Sequence, residues 1–173
     1  MVSEYNIWRS LLFLVTRRVP GRGPGVVTFG YAKELAPILG AFIFVSLIEL
    51  PVVHLLIPWD TVRLVADVLS IWGLLWMIGL LASVIVHPHL LTPDALRIRE
   101  SWKTDVRIPW GAVASVKARR GGAEDEDGVL TVPVLNRTKV ELTLKRPLDG
   151  NTTVRLFVDD AKGFVAAARD RVS

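Results

Sequence analysis

The chain has 173 residues, no cysteine and a formal net charge of +4. This length admits one soluble domain beside a membrane anchor and excludes two independent globular cores. The lack of cysteine excludes disulfides, thiolate metal sites and thiol nucleophiles. Because no segment is strongly basic, we expect no nucleic-acid partner.

Residues 1–34 are predicted to form an amphipathic helix followed by a linker. Between residues 3 and 19, apolar side chains recur at helical spacing and the arginines lie off that stripe. Such a helix fits the membrane interface, with its arginines at anionic lipid, and equally a position packed on the soluble domain. Glycines and prolines over residues 20–25 then end the helix.

Residues 35–86 are predicted to form a transmembrane helical hairpin. The first span covers residues 35–57 and the second residues 62–86, each predominantly apolar. Both are long enough to cross a hydrocarbon core of ~30 Å. Because only a short connection joins them, the two helices are expected to run antiparallel.

The charges that flank the hairpin predict its orientation. Basic residues cluster before the first span and after the second, whereas Arg63 alone marks the connection. Cytoplasmic flanks carry the excess of lysine and arginine in membrane proteins. We therefore expect a multi-pass protein of the cell membrane with both termini in the cytoplasm.

Glu49 and His54 are the ionisable side chains that the first span would carry into the membrane. A carboxyl group at the depth of Glu49 needs a hydrogen-bond partner, a proton or a cationic subunit. The indoles of Trp72 and Trp76, beside Gly73, are expected at matching depth on the second span. Glu49 and His54 face different directions on a straight helix, so they do not form a metal-binding pair.

Small residues predict where the two spans approach most closely. Ala36 and Gly40 lie near the cytoplasmic end of the first span, and Gly79 and Ser83 near the same end of the second. In an antiparallel hairpin these faces would meet and let the two backbones pack closely.

From residue 87 onward the apolar period changes from helical to two, which is typical of half-buried antiparallel strands. Six strands are predicted, over residues 95–100, 105–108, 112–118, 129–135, 139–145 and 152–158. Pro133 would place its strand at a sheet edge or a bulge. Turn sequences over residues 121–128 and 148–151 are expected to close hairpins. A short apolar face from Phe164 to Val172 predicts a C-terminal helix.

Two stretches at the start of this part, LTPDALRIR (91–99) and DVRIPWGAVASV (105–116), resemble the opening of bacterial pleckstrin-homology-like (PH-like) domains. Residues 154–165 are similar to the last strand and terminal helix of that family. The resemblance covers residues 87–173 and implies a small antiparallel sandwich or barrel closed by a C-terminal helix. It also implies a pair of preceding transmembrane helices, which such domains often follow. The layout further resembles small actinobacterial membrane proteins.

Catalytic or cofactor chemistry is not recognisable in the sequence. His87 and His89 flank a proline at the membrane edge, but two ligands do not make a metal site. The acidic run at residues 124–127 lacks the later bidentate glutamate of a calcium loop. We therefore expect no metal, no cofactor and no enzymatic activity.

Three functions from different classes remain open. The first is an interaction or adaptor module, or an accessory subunit of a membrane complex, with a protein partner or a second copy. The second is binding of anionic lipid at the inner leaflet. Its basic face would consist of Arg97, Arg99, Lys103 and Arg107. The third is a transport-related subunit that uses Glu49, and it requires an oligomer because two helices cannot enclose a pathway.

Overall fold

The computed structural model describes residues 10–14, 16, 21, 23–100, 104–124 and 126–172. In chain order its elements are β1 (Val27–Phe29), α1 (Leu35–Leu56), α2 (Asp60–Val86), β2 (His89–Leu91), β3 (Ala95–Glu100), β4 (Thr104–Pro109), a 3-10 turn (Trp110–Ala112), β5 (Val113–Gly122), β6 (Val129–Val132), β7 (Arg137–Leu148), β8 (Asn151–Leu156) and α3 (Ala161–Val172). Residues 10–14 are helical. The rest of the helix predicted over residues 3–19 lies almost entirely outside the described residues.

Both long apolar helices predicted from the sequence are present and pack against each other as a hairpin. Each is long and apolar enough to cross a membrane. No residue of α1 is buried, and large side chains such as Phe42 and Leu55 are 60% and 83% exposed. Burial in α2 is confined to its last turns, from Gly79 onward. Apolar surface on this scale is unfavourable in water and favourable in lipid.

The strands form two four-stranded sheets. The first has the order β1-β2-β3-β4 and is antiparallel throughout. The second has the order β5-β7-β8-β6, and there β7 is antiparallel to both neighbours. However, β6 runs parallel to β8, so the prediction of purely antiparallel pairing was wrong at this edge. Two successive chain reversals, one on each side of β7, return β8 to the direction of β6.

The predicted strand positions are largely confirmed, but two strands were missed. β1 falls in the segment predicted as a linker, and β2 follows α2 directly. All three residues of β2 are buried, so it shows no alternation of apolar and polar side chains. The turn at Asp149 and Gly150, with φ of 50° and 83°, closes the β7–β8 hairpin as predicted. Residues 121–128 instead link β5 to β6, which are not paired.

The main core lies between the two sheets and under α3. It contains fully buried side chains from both sheets, including Leu96, Ile98, Leu142 and Leu156. From α3, Phe164 packs into the same core. Each such aliphatic or aromatic side chain stabilises the fold by ~1.5–3 kcal/mol.

Candidate functional site

A second, smaller core joins the hairpin to the sheets. It consists of Val84 from the end of α2, Tyr31 from the segment before α1, and Val134 and Phe157 from the β domain. Phe157 is fully buried and Tyr31 is only 3% exposed. Because these residues come from both parts of the chain, their packing fixes the β domain against the base of the helices.

His89 completes this junction as a buried, neutral side chain. Its Nδ1 accepts a hydrogen bond from the Arg99 backbone N–H at 3.1 Å, so Nε2 carries the proton and donates to the Phe157 carbonyl at 3.0 Å. The Tyr31 ring lies 5.0 Å from the imidazole. Burial lowers the pKa of His89 to about 4.

His87, the other histidine of the predicted juxtamembrane pair, has its own partner. Its Nδ1 donates to the Ser83 carbonyl at 2.9 Å, and burial lowers its pKa. His87 and His89 are therefore each engaged with backbone groups. Among the residues that the structure describes, no group of three side chains is placed to hold a metal ion.

An ionic clamp, defined by Glu34, Arg137 and Lys139, ties the β domain to the start of α1. The Glu34 carboxylate lies 3.0 Å from Nζ of Lys139 and 3.6 Å from a guanidinium nitrogen of Arg137. The hydrogen bond from Lys139 lowers the pKa of Glu34. Beside the clamp, the Lys33 backbone N–H donates to the Asp159 carboxylate at 3.2 Å. Since α1 begins at the next residue, Leu35, the clamp marks the level at which the helix leaves the β domain.

Next to this clamp lies a groove of about 990 Å³ between the end of β5, the start of β7 and the start of α3. Its lining includes two carboxylates, Asp159 and Asp160. Its basic side chains are Arg119, Arg120, Arg137, Lys139 and Lys162. We refer to it as the basic groove.

A bulge in β5 shapes one wall of the basic groove. The β5–β7 register shifts between Ala118 and Gly121, so that Arg119 and Arg120 occupy the irregular part of the strand. The Arg119 guanidinium lies against Gly121, where an added Cβ would come within 2.8 Å of its Nε. Arg119 also pairs with Glu141 at 3.0 Å.

The start of α3 adds little positive charge to the basic groove. The Asp160 carboxylate accepts a hydrogen bond from the Gly163 backbone N–H at 2.9 Å and so caps the helix. This carboxylate already occupies the place an anion would take at the helix start. The positive potential of the groove therefore comes from its side chains.

The basic residues predicted to face lipid are arranged differently. Arg97 pairs with Asp105, and Arg107 pairs with Asp94. Arg99 is only 4% exposed, and burial lowers its pKa. Lys103 lies outside the described residues. Lipid binding by this set stays a prediction, and its paired and buried charges do not favour it.

The polar residues of the helices are also arranged in an unforeseen way. His54 Nδ1 lies 2.7 Å from Oδ2 of Asp67 on α2, a pair that sequence reasoning did not identify. Glu49 is exposed on α1 and makes no hydrogen bond or ion pair within the described part of the chain. The expected close approach at Gly40 and Gly73 is not seen: an added Cβ at either position would have no atom of the facing helix within 4 Å.

No known protein family, curated protein or solved structure matches the chain. The basic groove is the strongest candidate for a functional site, because cationic side chains from three elements line it beside the start of a long apolar helix. One local feature of the sequence could have indicated this groove. It is the Arg119-Arg120-Gly121-Gly122 stretch, which ends β5.

Proposed function

We propose that the protein is a membrane-anchored, non-enzymatic interaction module. The α1–α2 hairpin crosses the cell membrane, both termini face the cytoplasm, and the β domain presents the basic groove at the inner surface. The observation that carries this proposal is the clamp at Glu34. It attaches two cations of the groove wall, Arg137 and Lys139, directly to the residue that precedes α1.

Exposure of the hairpin supports membrane insertion. α1 has no buried residue, and the exposed side chains of both helices are mostly large and apolar. A core helix of a soluble protein would be largely covered by its own chain. The flanking charges support the orientation, because basic residues lie on the side of the β domain.

The layout of the β domain supports its assignment as PH-like. Two packed sheets with a C-terminal helix, placed after two apolar helices, agree with what the resemblance implies. The parallel β6–β8 pair and the added strands β1 and β2 depart from a simple antiparallel sandwich.

The chemistry of the groove supports binding. Its lining consists of cations, two carboxylates, glycines, alanines and one threonine. Asp160 caps a helix and Asp159 holds a backbone N–H, so both carboxylates have structural partners. An anionic partner is the natural complement of such a surface.

A transport-related role is a second candidate, and Glu49 is the observation that favours it. This carboxyl group is exposed on α1, within the proposed span. In a membrane it would have to be covered by another protein, either a second copy or a partner subunit. A transport role therefore requires an oligomer or a complex, which crosslinking through residues of α1 would detect.

Membrane extraction and reporter fusions test the proposed function. The full chain should resist extraction by alkaline carbonate. A fluorescent protein fused after Ser173 should fluoresce, and alkaline phosphatase at the same position should be inactive. Phosphatase inserted at Trp59, in the α1–α2 connection, should be active. Release by carbonate, or the reverse reporter pattern, would contradict the anchored cytoplasmic module.

A photocrosslinking residue at Lys162 tests the interaction itself. In cells it should give a defined crosslinked product, because Lys162 lines the basic groove. The same residue placed at Lys145, which is exposed at the far end of β7, is the control. Equal crosslinking from both positions would contradict a specific role for the groove.

A further inference from the structure

The five cations of the basic groove differ in how far they are neutralised. Arg137 and Lys139 share the carboxylate of Glu34, and Arg119 has Glu141. Arg120 and Lys162 have no carboxylate partner among the described residues. These two side chains extend from different elements, β5 and α3, into the same groove. The two carboxylates of the lining, Asp159 and Asp160, accept hydrogen bonds from the backbone N–H groups of Lys33 and Gly163. Counted with Glu34 and Glu141, the four carboxylates leave the five cations with an excess of one positive charge.

The groove lies beside the base of α1. Its wall residue Lys139 contacts Glu34, and its wall residue Asp159 accepts a hydrogen bond from the Lys33 backbone. The next residue, Leu35, begins the apolar helix. When α1 crosses a bilayer, the hydrocarbon core starts near Leu35, and the lipid phosphates lie in the polar layer immediately outside that core. The basic groove is thereby held close to these phosphates.

The groove is large enough to admit a headgroup. A volume of about 990 Å³ is at the upper end of the range for small-molecule sites, which is ~300–1,000 Å³. Arg119 covers Gly121, but at Gly122 only the Asn136 carbonyl oxygen, at 3.8 Å, lies near the place that a Cβ would take, so a phosphate can approach the strand there.

We propose that the basic groove binds the phosphate of an anionic phospholipid headgroup from the inner leaflet, with Arg120 and Lys162 as its principal ligands. The inference rests on the proposed function, because it requires the hairpin in the membrane and the β domain in the cytoplasm. Arginine and lysine are the usual partners of phosphate oxygens in proteins. The charge of the inner leaflet adds to the attraction at this short distance.

A soluble phosphate compound or an acidic peptide would offer related negative charge. The membrane is favoured because the clamp holds the groove next to the start of α1, where headgroups are present at high local concentration. Titration with lipid, inorganic phosphate and an acidic peptide separates these sources.

The test uses the full chain in detergent, titrated with short-chain phosphatidylglycerol and followed by native mass spectrometry. The Arg120→Gln/Lys162→Gln variant should bind this lipid about 25-fold more weakly, at about fivefold for each cation that no longer contacts the phosphate. Lys145→Gln/Arg146→Gln is the matched control. It removes the same charge from exposed positions about 20 Å away along β7 and should bind like the unmodified chain. Thermal unfolding checks that both variants are folded.

Several outcomes would overturn the proposal. These are equal binding by the groove variant and the unmodified chain, equal binding of short-chain phosphatidylcholine, and equal binding of inorganic phosphate. A polyglutamate peptide that binds more tightly than the lipid would assign the groove to a protein partner instead. If, in addition, alkaline carbonate releases the chain from cell membranes or the reporter pattern is reversed, the proposed function fails as well. A membrane-inserted chain without lipid preference overturns this inference alone.

Discussion

His54 Nδ1 and Asp67 Oδ2 lie 2.7 Å apart, and this contact joins α1 to α2. The Asp67 side chain is 18% exposed and that of His54 52%. One further Asp67 oxygen is buried without a hydrogen-bond partner among the described residues. In lipid, such a polar contact between two helices replaces water that is no longer available.

Removing this pair should loosen the hairpin. His54→Leu and Asp67→Leu are each expected to lower the free energy of unfolding by ~0.6–2 kcal/mol, the usual value of a hydrogen bond between membrane helices. A double-mutant cycle in detergent measures the coupling between them. Asp60→Asn, which removes only an exposed pair with Arg63 at the tip, is the control. Additive effects of the two leucine substitutions would show that the contact contributes nothing.

The glycines of the helices should respond to substitution according to their surroundings. Gly40→Ala should leave stability unchanged or raise it by up to ~1 kcal/mol, because the new Cβ meets no atom within 4 Å and alanine favours helix. Gly79→Leu should destabilise the protein, because Gly79 is buried at the end of α2. Thermal unfolding in detergent compares the two. A larger loss of stability for Gly40→Ala than for Gly79→Leu would show that the two helices do pack closely at Gly40, as the sequence predicts.

Elements with a strong period were predictable from the sequence. The two helices are long and apolar throughout, and strands such as β3 and β7 keep polar side chains at alternate positions along part of their length. β2 is buried at every position and carries no such alternation. The parallel β6–β8 pair was also beyond prediction, because a period shows which side of a strand is buried and not which strand lies next to it.

The basic groove was not predicted from the sequence, for a related reason. Glu34 and Lys139 meet across 105 residues, and nothing local in the sequence predicts that contact. The prediction of a basic face did not take account of Asp94 and Asp105. Asp94 pairs with Arg107, and Asp105 pairs with Arg97. Charge counted along a strand does not show which cations are already neutralised by a neighbouring strand.

The junction between helices and sheets should depend on its apolar core more than on the ionic clamp. Phe157→Ala should lower the free energy of unfolding by ~3–5 kcal/mol, because the ring is fully buried. Glu34→Gln should have a much smaller effect, because the clamp is partly exposed and its charges are screened by solvent. Chemical denaturation of the full chain measures both. A greater loss for Glu34→Gln would show that the clamp, and not the core, fixes the β domain.

Stability should fall as the pH is lowered from 6.5 to 4, and His89 should account for much of the change. The pKa of His89 is depressed to about 4 in the folded protein, against 6.5 for an ordinary histidine. Above pH 6.5 both states are neutral at this position. Between the two values the unfolded chain takes up the proton and the folded chain does not. The unfolded state is therefore favoured, by about 3 kcal/mol at the acid end.

His89→Asn separates this contribution from the other titrating groups. Asparagine can still accept the Arg99 N–H through its side-chain oxygen, but it does not titrate. The variant should be less stable at neutral pH, because the bond to the Phe157 carbonyl and part of the ring packing are lost. Its stability should also decline less between pH 6.5 and 4, by up to the same ~3 kcal/mol. His87 titrates in the same direction but is common to both chains, so it cancels in the difference. Parallel stability curves for the two chains across this range would show that His89 is not the buried, neutral residue on which the junction depends.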